Sequence, residues 1–365
     1  MIPAKYYHDV FMILTTIITI VVVQKYKTYS NKRVFRRSSS QWLPAFIVML
    51  FCSLFIGLRP QSGVFVDMMN TVIYYKFLYQ ERFWFDWNTV NIIYDNLLKY
   101  FASYGISVQL FFLLIAFIYF GLTYAACHKL FPKDTLLAYV TWLAAFSTFS
   151  YGTNGIKAGS AAAVFLLAIA YRKKWWACIL LLIASYGMHH SMTVPITAFL
   201  ICSIYKNSNV YMVLWVVCFI LSVFHVTFFQ EWFGTITDDS GAAYLDVNNL
   251  TSLKAGMFRP DFALYSAVPI VVGWYLIQKK KIPISNGYRF ILNLYILSNS
   301  IWLLCMYANF TNRIAYLSWL MYPFVLIYPF LKEYINKNQY KTCVYVVYGH
   351  LLFTLFMSYI FYPLR

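Results

Sequence analysis

Apolar runs near 20 residues recur along almost the whole chain, and short stretches between them hold most of its charge. A helix rises 1.5 Å per residue, so such a run crosses about 30 Å of hydrocarbon. The pattern predicts spans over about 6–23, 43–58, 106–127, 136–149, 158–171, 210–229, 262–277, 288–307, 314–331 and 342–362. The run 175–205 is too long for one ordinary crossing and short for two. His189 and His190 sit in its middle, and Pro195 follows. A single crossing would invert every later loop and place Lys279, Lys280 and Lys281 outside, against the charge bias. The run is therefore read as two short or broken spans meeting near His189, a break that is tolerated where it lines a cavity. The expected fold is an all-α polytopic membrane protein of about 12 transmembrane helices, one integral domain over residues 1–365. Segments 59–105 and 230–260 are too polar to cross and read as outer segments, the first partly as interfacial amphipathic helix. The first run has no basic n-region and no small-residue cleavage site, and reads as a retained first helix.

Composition agrees with this picture: 61% of residues are hydrophobic, 11% are charged, and mean hydropathy is +0.62. The net charge of +17 would suit a nucleic-acid binder, but its distribution does not. Of the 29 basic residues, 19 fall in loops on one predicted side. The strongest cluster is Lys25, Lys27, Lys32, Arg33, Arg36 and Arg37, and Arg172, Lys173 and Lys174 form another. Of the 12 acidic residues only Asp134 and Glu333 share that side. This is the positive-inside asymmetry, which puts the N-terminus outside and excludes nucleic acid as the partner. Tyr and Phe number 33 each, which suits interface belts and packing, with a sugar groove as the alternative. The seven cysteines stand singly in apolar runs, so neither a zinc site nor a disulfide framework is expected.

The charges left on the other side carry the candidate chemistry. Arg59 ends a span in Gly57-Leu58-Arg59-Pro60, and Lys157 opens one after Asn154-Gly155-Ile156. Arg259 precedes Pro260 and Asp261, and Arg313 opens a span after Asn312. Arginine's planar fork suits phosphate bidentately, lysine binds it as a point charge, and helix N-terminal amides add to both. Four such cations can converge on one anionic group; the competing reading is snorkelling to lipid headgroups. His189 and His190 lie at the expected turn, as a base, a phosphate donor, or satisfied polar residues of the bundle. His128 is read at the inner surface, and His225 and His350 as bundle or interface residues. Asp67, eight residues after Arg59, can deprotonate an attacking hydroxyl, orient Arg59, or form a structural salt bridge. Asp238 and Asp239 read as a divalent-metal pair or as a solvated loop. There is no Walker loop, GxSxG, HExxH or CxxC, so nucleotide hydrolysis and zinc catalysis are unsupported and neither metal nor cofactor is expected.

In this order the residues resemble the EpsG/Wzy-type polysaccharide polymerases of bacterial inner membranes. The first match is Gly57-Leu58-Arg59 followed by Ser62-Gly63 and Asp67, although the family commonly has Gly-x-Asp and a Tyr four residues on, where this chain has Thr71. The second is Ile156-Lys157-Ala158-Gly159-Ser160-Ala161, the basic turn Arg172-Lys173-Lys174, and Met188-His189-His190-Ser191. Here Lys replaces the family's usual Arg, and Met its usual Phe. The third is Arg313 with Tyr316. The spacing from Lys157 to His189 is the most specific part.

The resemblance implies a membrane glycosyltransferase of GT-C-like architecture, without a metal. Its donor is a glycan on undecaprenyl pyrophosphate, and its acceptor is a sugar hydroxyl of another lipid-linked repeat unit. It implies His189 and Asp67 as catalytic residues, and Arg59, Lys157, Arg313, Asn154 and Tyr316 as pyrophosphate and substrate contacts, to which the outer-side charge reading adds Arg259. The implied partners are lipid-linked oligosaccharides, membrane lipids and a chain-length regulator, and the implied setting is the periplasmic face of the inner membrane. A lipid-linked sugar flippase and an O-antigen ligase are the alternatives.

Overall fold

The structure, a computed structural model, describes residues 2–29, 41–235, 243, 245–246, 256–279, 284–335 and 338–361. Lys32, Arg33, Arg36, Arg37, Asp238, Asp239, Lys254, Lys280, Lys281 and Lys337 lie outside the described residues. Among the described residues every regular element is a helix. Among the described residues five helical stretches are long and apolar enough to cross a membrane: Ala4–Lys27, Val108–Leu130, Pro260–Gln278, Thr311–Lys332 and Gln339–Phe361. Five shorter apolar helices of 10–17 residues accompany them.

Most predicted runs correspond to one helix each. These are α1 (Tyr7–Tyr29), α2 (Trp42–Gly57), α5 (Val108–Leu130), α8 (Ile156–Tyr171), α11 (Ser208–Val223), α13 (Pro260–Trp274), α14 (Asn286–Leu304) and α17 (Gln339–Phe356). Segment 59–105 forms two short helices, α3 (Val66–Phe77) and α4 (Ile92–Ser103), the second amphipathic. Segment 230–260 begins within α12 (Phe228–Thr235). Run 175–205 breaks where the sequence reading put the break. Helix α9 (Trp175–Met188) ends, His189 is extended at φ −158° and ψ 123°, a single 3-10 turn covers His190–Met192, and α10 (Thr193–Ile204) follows.

Two further runs break where none was expected. Run 136–149 becomes α6 (Thr135–Leu143) and a six-residue α7 (Thr148–Thr153). The Thr148 hydroxyl donates to the Trp142 carbonyl at 2.6 Å, the kind of local side-chain bond that competes with helix continuation. Run 314–331 becomes α15 (Thr311–Trp319) and α16 (Tyr322–Lys332). Pro323 sits in the first turn of α16, where its missing N–H costs nothing, but it cannot continue the ladder of α15.

The chain forms two compact units. One comprises residues 1–192, 330–332 and 336–365, the other residues 193–329 and 333–335. In the first, α5 packs on α2 and α8, α8 packs on α9, and α1 packs on α17 and α6. Small residues set these distances. A Cβ on Gly57 would lie 2.8 Å from the Leu113 backbone, and one on Gly159 would lie 2.5 Å from the Tyr151 carbonyl. Helix α8 is buried through Gly159-Ser160-Ala161-Ala162-Ala163.

In the second unit α14 is the hub, packed against α10, α11, α13 and α15. A buried polar network holds it. Asn299 Oδ1 accepts from the Trp215 indole at 2.7 Å, and Asn299 Nδ2 donates to Ser266 Oγ at 3.0 Å and Ser318 Oγ at 2.9 Å. The Trp319 indole also donates to Ser266 Oγ, at 2.8 Å. Buried hydrogen-bonding groups are costly to orphan, because no water replaces the lost partner. Replacing Asn299 with leucine is therefore expected to lower stability by about 1–3 kcal/mol. Thermal unfolding of the purified protein in detergent measures this, and an unchanged melting temperature would remove the network as a determinant of the packing.

Candidate functional site

The first unit gathers polar groups where α2 ends, α8 begins and α9 breaks. Helix α2 stops at Gly57, two residues before Arg59-Pro60. Arg59 then turns inward and is 1% exposed. Its Nη1 donates to the Ile56 carbonyl at 2.7 Å, and its Nη2 to the Thr153 carbonyl at 2.9 Å. The rings of Phe65 and Phe112 lie 5.2 and 5.6 Å from the guanidinium carbon, and the buried Nε has no partner. Burial pulls the guanidinium pKa down to about 10, so Arg59 remains charged at neutral pH. It ties the end of α2 to the end of α7. The gap beside it, lined by Arg59, Tyr119, Tyr151 and Ile156 among others, is too tight for a water molecule.

Lys157, in the first turn of α8, meets a carboxylate that the sequence reading did not single out. Its Nζ lies 2.8 Å from Asp95 Oδ1, and the two side chains are 36% and 13% exposed. It also stands 4.9 Å from the centre of the Tyr94 ring. Tyr94 is fully buried. Burial raises the pKa of its hydroxyl; Arg59, Asp67 and Asp95 all act on it electrostatically. Asp95 sits in the first turn of α4, where the helix dipole favours an anion. Its second oxygen accepts the backbone N–H of Asn91, the N-cap residue, at 3.2 Å.

Asn91 carries the chain of bonds on to the break. Its Oδ1 accepts the His190 backbone N–H at 3.2 Å and faces His190 Nδ1 at 3.3 Å. This needs α4 and α9 to approach closely, and Gly187 permits it: a Cβ there would lie 2.8 Å from Ile93. His189 stacks on His190 with ring centres 4.9 Å apart. The backbone N–H of Ser191 points at His189 Nδ1 at 3.2 Å, with the Ser191 hydroxyl at 2.7 Å. An amide N–H can only donate, so Nδ1 accepts and the proton of the neutral ring lies on Nε2. The result is one hydrogen-bonded chain: His190, Asn91, Asp95, Lys157.

The remaining candidates have other settings. Asn154 caps α7, and its buried Oδ1 has no partner. Asp67 lies half-buried in the first turn of α3, where its carbonyl accepts the Thr71 hydroxyl at 2.9 Å. In the second unit Arg259 is 4% exposed and bound bidentately by Asp261, at 3.0 Å through Nε and 2.6 Å through Nη2. Its guanidinium carbon lies 3.6 Å from the centre of the Phe262 ring. Arg313, in the first turn of α15, is half-buried, 5.2 Å from the centre of the Phe310 ring. Phe310 adopts the left-handed conformation, at φ 49°. Asn312 reaches the buried Tyr316 hydroxyl at 3.5 Å.

The family model described as the EpsG family matches residues 42–364. The chain belongs to the EpsG family. Together with the apolar helices, this makes it a multi-pass membrane protein of the polysaccharide-polymerase type. No curated protein and no solved structure matches the chain significantly. The EpsG match starts at the first residue of α2 and spans every site residue described above.

Within this EpsG-family protein, the structure brings Lys157 and the His189–His190 break into one neighbourhood with Arg59, while Arg259, Arg313 and Tyr316 belong to the other unit. Sequence reading missed Asn91, Tyr94 and Asp95. An Asn cap followed by an acid in the first helical turn was a visible signal for α4. Nothing in the spacing pairs Asp95 with Lys157, 62 residues later.

Proposed function

We propose that this EpsG-family protein is a polysaccharide repeat-unit polymerase. It transfers a glycan from undecaprenyl pyrophosphate to a sugar hydroxyl of another lipid-linked unit, at the periplasmic face of a bacterial inner membrane. The observation that carries this reading is the partly exposed Lys157, held by Asp95 at a helix start beside the His189 break. In the reaction the acceptor oxygen attacks the anomeric carbon, and the bond from that carbon to the pyrophosphate oxygen breaks. The electron pair leaves with the pyrophosphate, and the acceptor proton passes to a base.

Negative charge grows on the leaving group, so preorganised donors there lower the barrier. Lys157 meets the phosphate by exchanging Asp95 for it, and His189 offers its Nε2–H. Asp67 or the released Asp95 takes the proton. Arg59 and Asn154 fix the loop that presents Lys157. Arg313 and Tyr316 are substrate-binding residues of the second unit, and Arg259 is available to substrate only by giving up Asp261. The working architecture is about 12 spans of GT-C-like type, with lipid-linked oligosaccharides and membrane lipids as partners and a chain-length regulator as an accessory.

The glycan ladder of a strain lacking the gene tests this reading. A polymerase deletion is expected to leave one repeat unit on its carrier or core. Loss of even that single unit would favour a flippase or a ligase and sink the proposal.

A further inference from the structure

Residues 78–91, between α3 and α4, have no regular secondary structure yet are firmly held. Gln80, in the left-handed conformation at φ 61°, donates its N–H to the Ala102 carbonyl at 3.0 Å. Buried Asn96 grips Asp86 twice, accepting its N–H at 2.7 Å and donating to its carbonyl at 2.8 Å. Lys99 places Nζ 3.0 Å from the centre of the Trp84 ring. What this scaffold presents is aromatic: Trp87 is 76% exposed, Trp84 56% and Phe85 43%, with the Phe85 and Trp87 rings 4.6 Å apart.

Irregular backbone facing lipid would leave its amides and carbonyls without partners, so this segment lies outside the hydrocarbon. There, a rigid cluster of exposed rings marks a binding surface. Exposed Glu81, Arg82 and Asn88 and half-buried Asp86 interleave with the rings. That mixture matches a pyranose, which offers a face of C–H groups to a ring and a rim of hydroxyls to carboxylates and amides. The segment also runs directly into the site, because its last residue, Asn91, bonds both Asp95 and His190.

We infer that the Trp84–Trp87 loop is a glycan-binding platform that holds sugar units of the acceptor or growing chain beside Lys157. The inference rests on the polymerase reading. A platform retains the chain between transfers, so its loss shortens chains without abolishing transfer.

The test is a series at the exposed Trp87 in the full-length protein, expressed in the deletion strain and read as modal chain length at matched protein levels. Trp87→Ala and Trp87→Leu are each expected to shorten the modal chain roughly 2- to 10-fold, as expected for one lost ring stack. Trp87→Tyr is expected to restore it. Leucine keeps apolar surface for a lipid interface but removes the ring face. A normal ladder with leucine would therefore assign the loop to membrane anchoring and overturn the inference, and a normal ladder with alanine would do the same. As a direct measure, purified protein is titrated calorimetrically with glycan released by mild acid from wild-type cells. Wild type is expected to bind it, and Trp84→Leu/Trp87→Leu to bind it at least about 2-fold more weakly; no binding by wild type, or equal binding by both, overturns the platform. Lys157→Ala in the same strain separates the two readings. If it abolishes chains while Trp87→Leu leaves them normal, the platform fails and the polymerase stands. If Lys157→Ala leaves chains normal, the site assignment fails whatever the loop does.

Discussion

Lys157→Ala is expected to abolish long glycan chains while the protein accumulates normally in the membrane. The two halves of this expectation come from different magnitudes. The Lys157–Asp95 pair is partly open to solvent, with the lysine side chain 36% exposed. Pairs of that kind contribute only about 0–1 kcal/mol to stability, too little for its loss to unfold the protein. A charge-assisted contact to phosphate in the transition state is worth about 1.5–3 kcal/mol, so removing it slows turnover roughly 10- to 150-fold. The resemblance to family members that carry arginine at this position adds that Lys157→Arg is tolerated. Asp95→Ala is informative in combination. If Asp95 only tethers Lys157, the double variant Asp95→Ala/Lys157→Ala is no worse than Lys157→Ala alone. If Asp95 also takes the acceptor proton, Asp95→Ala by itself stops polymerisation although Lys157 is intact. A full ladder from Lys157→Ala at normal protein level would leave Lys157 as a snorkelling residue.

How much of this was legible in the sequence depends on the range of the interaction. The length of apolar runs is a local signal, and it located α1, α2, α5, α8, α11 and α17, while run length and the charge bias together located the interruption at His189. It missed the breaks after Leu143 and Trp319, because a threonine bonding a carbonyl, or a proline at a new helix start, leaves mean hydropathy unchanged. Charge patterning located the cations but not their partners. Asp261 stands two residues from Arg259, so that pair was within reach of the sequence. Asp95 and Lys157 stand 62 residues apart on α4 and α8 and meet through tertiary packing, which no spacing rule encodes.

Arg59→Ala is expected to fail differently from Lys157→Ala, with less folded protein as well as lost chains. Sequence reasoning weighed Arg59 between a cation converging with others on a phosphate and a residue snorkelling to lipid headgroups. The structure buries it instead and gives two of its donors to the carbonyls of Ile56 and Thr153. Each hydrogen bond to a charged group contributes about 1.5–3 kcal/mol. Desolvating the cation offsets part of this, because a buried charge costs several kcal/mol before its partners repay it. Removing the side chain takes the guanidinium donors from the Thr153 and Ile56 carbonyls, of which Ile56 keeps backbone N–H donors, and leaves a void between Phe65 and Phe112, for a net loss of about 2–4 kcal/mol. Arg59→Lys should not rescue, since a compact ammonium lacks the planar fork that spans carbonyls on two helices. The measurements are the amount of protein in the membrane and the melting temperature in detergent. Lost chains at an unchanged melting temperature would reverse the assignment, making Arg59 a group that acts on the pyrophosphate rather than the bolt between α2 and α7.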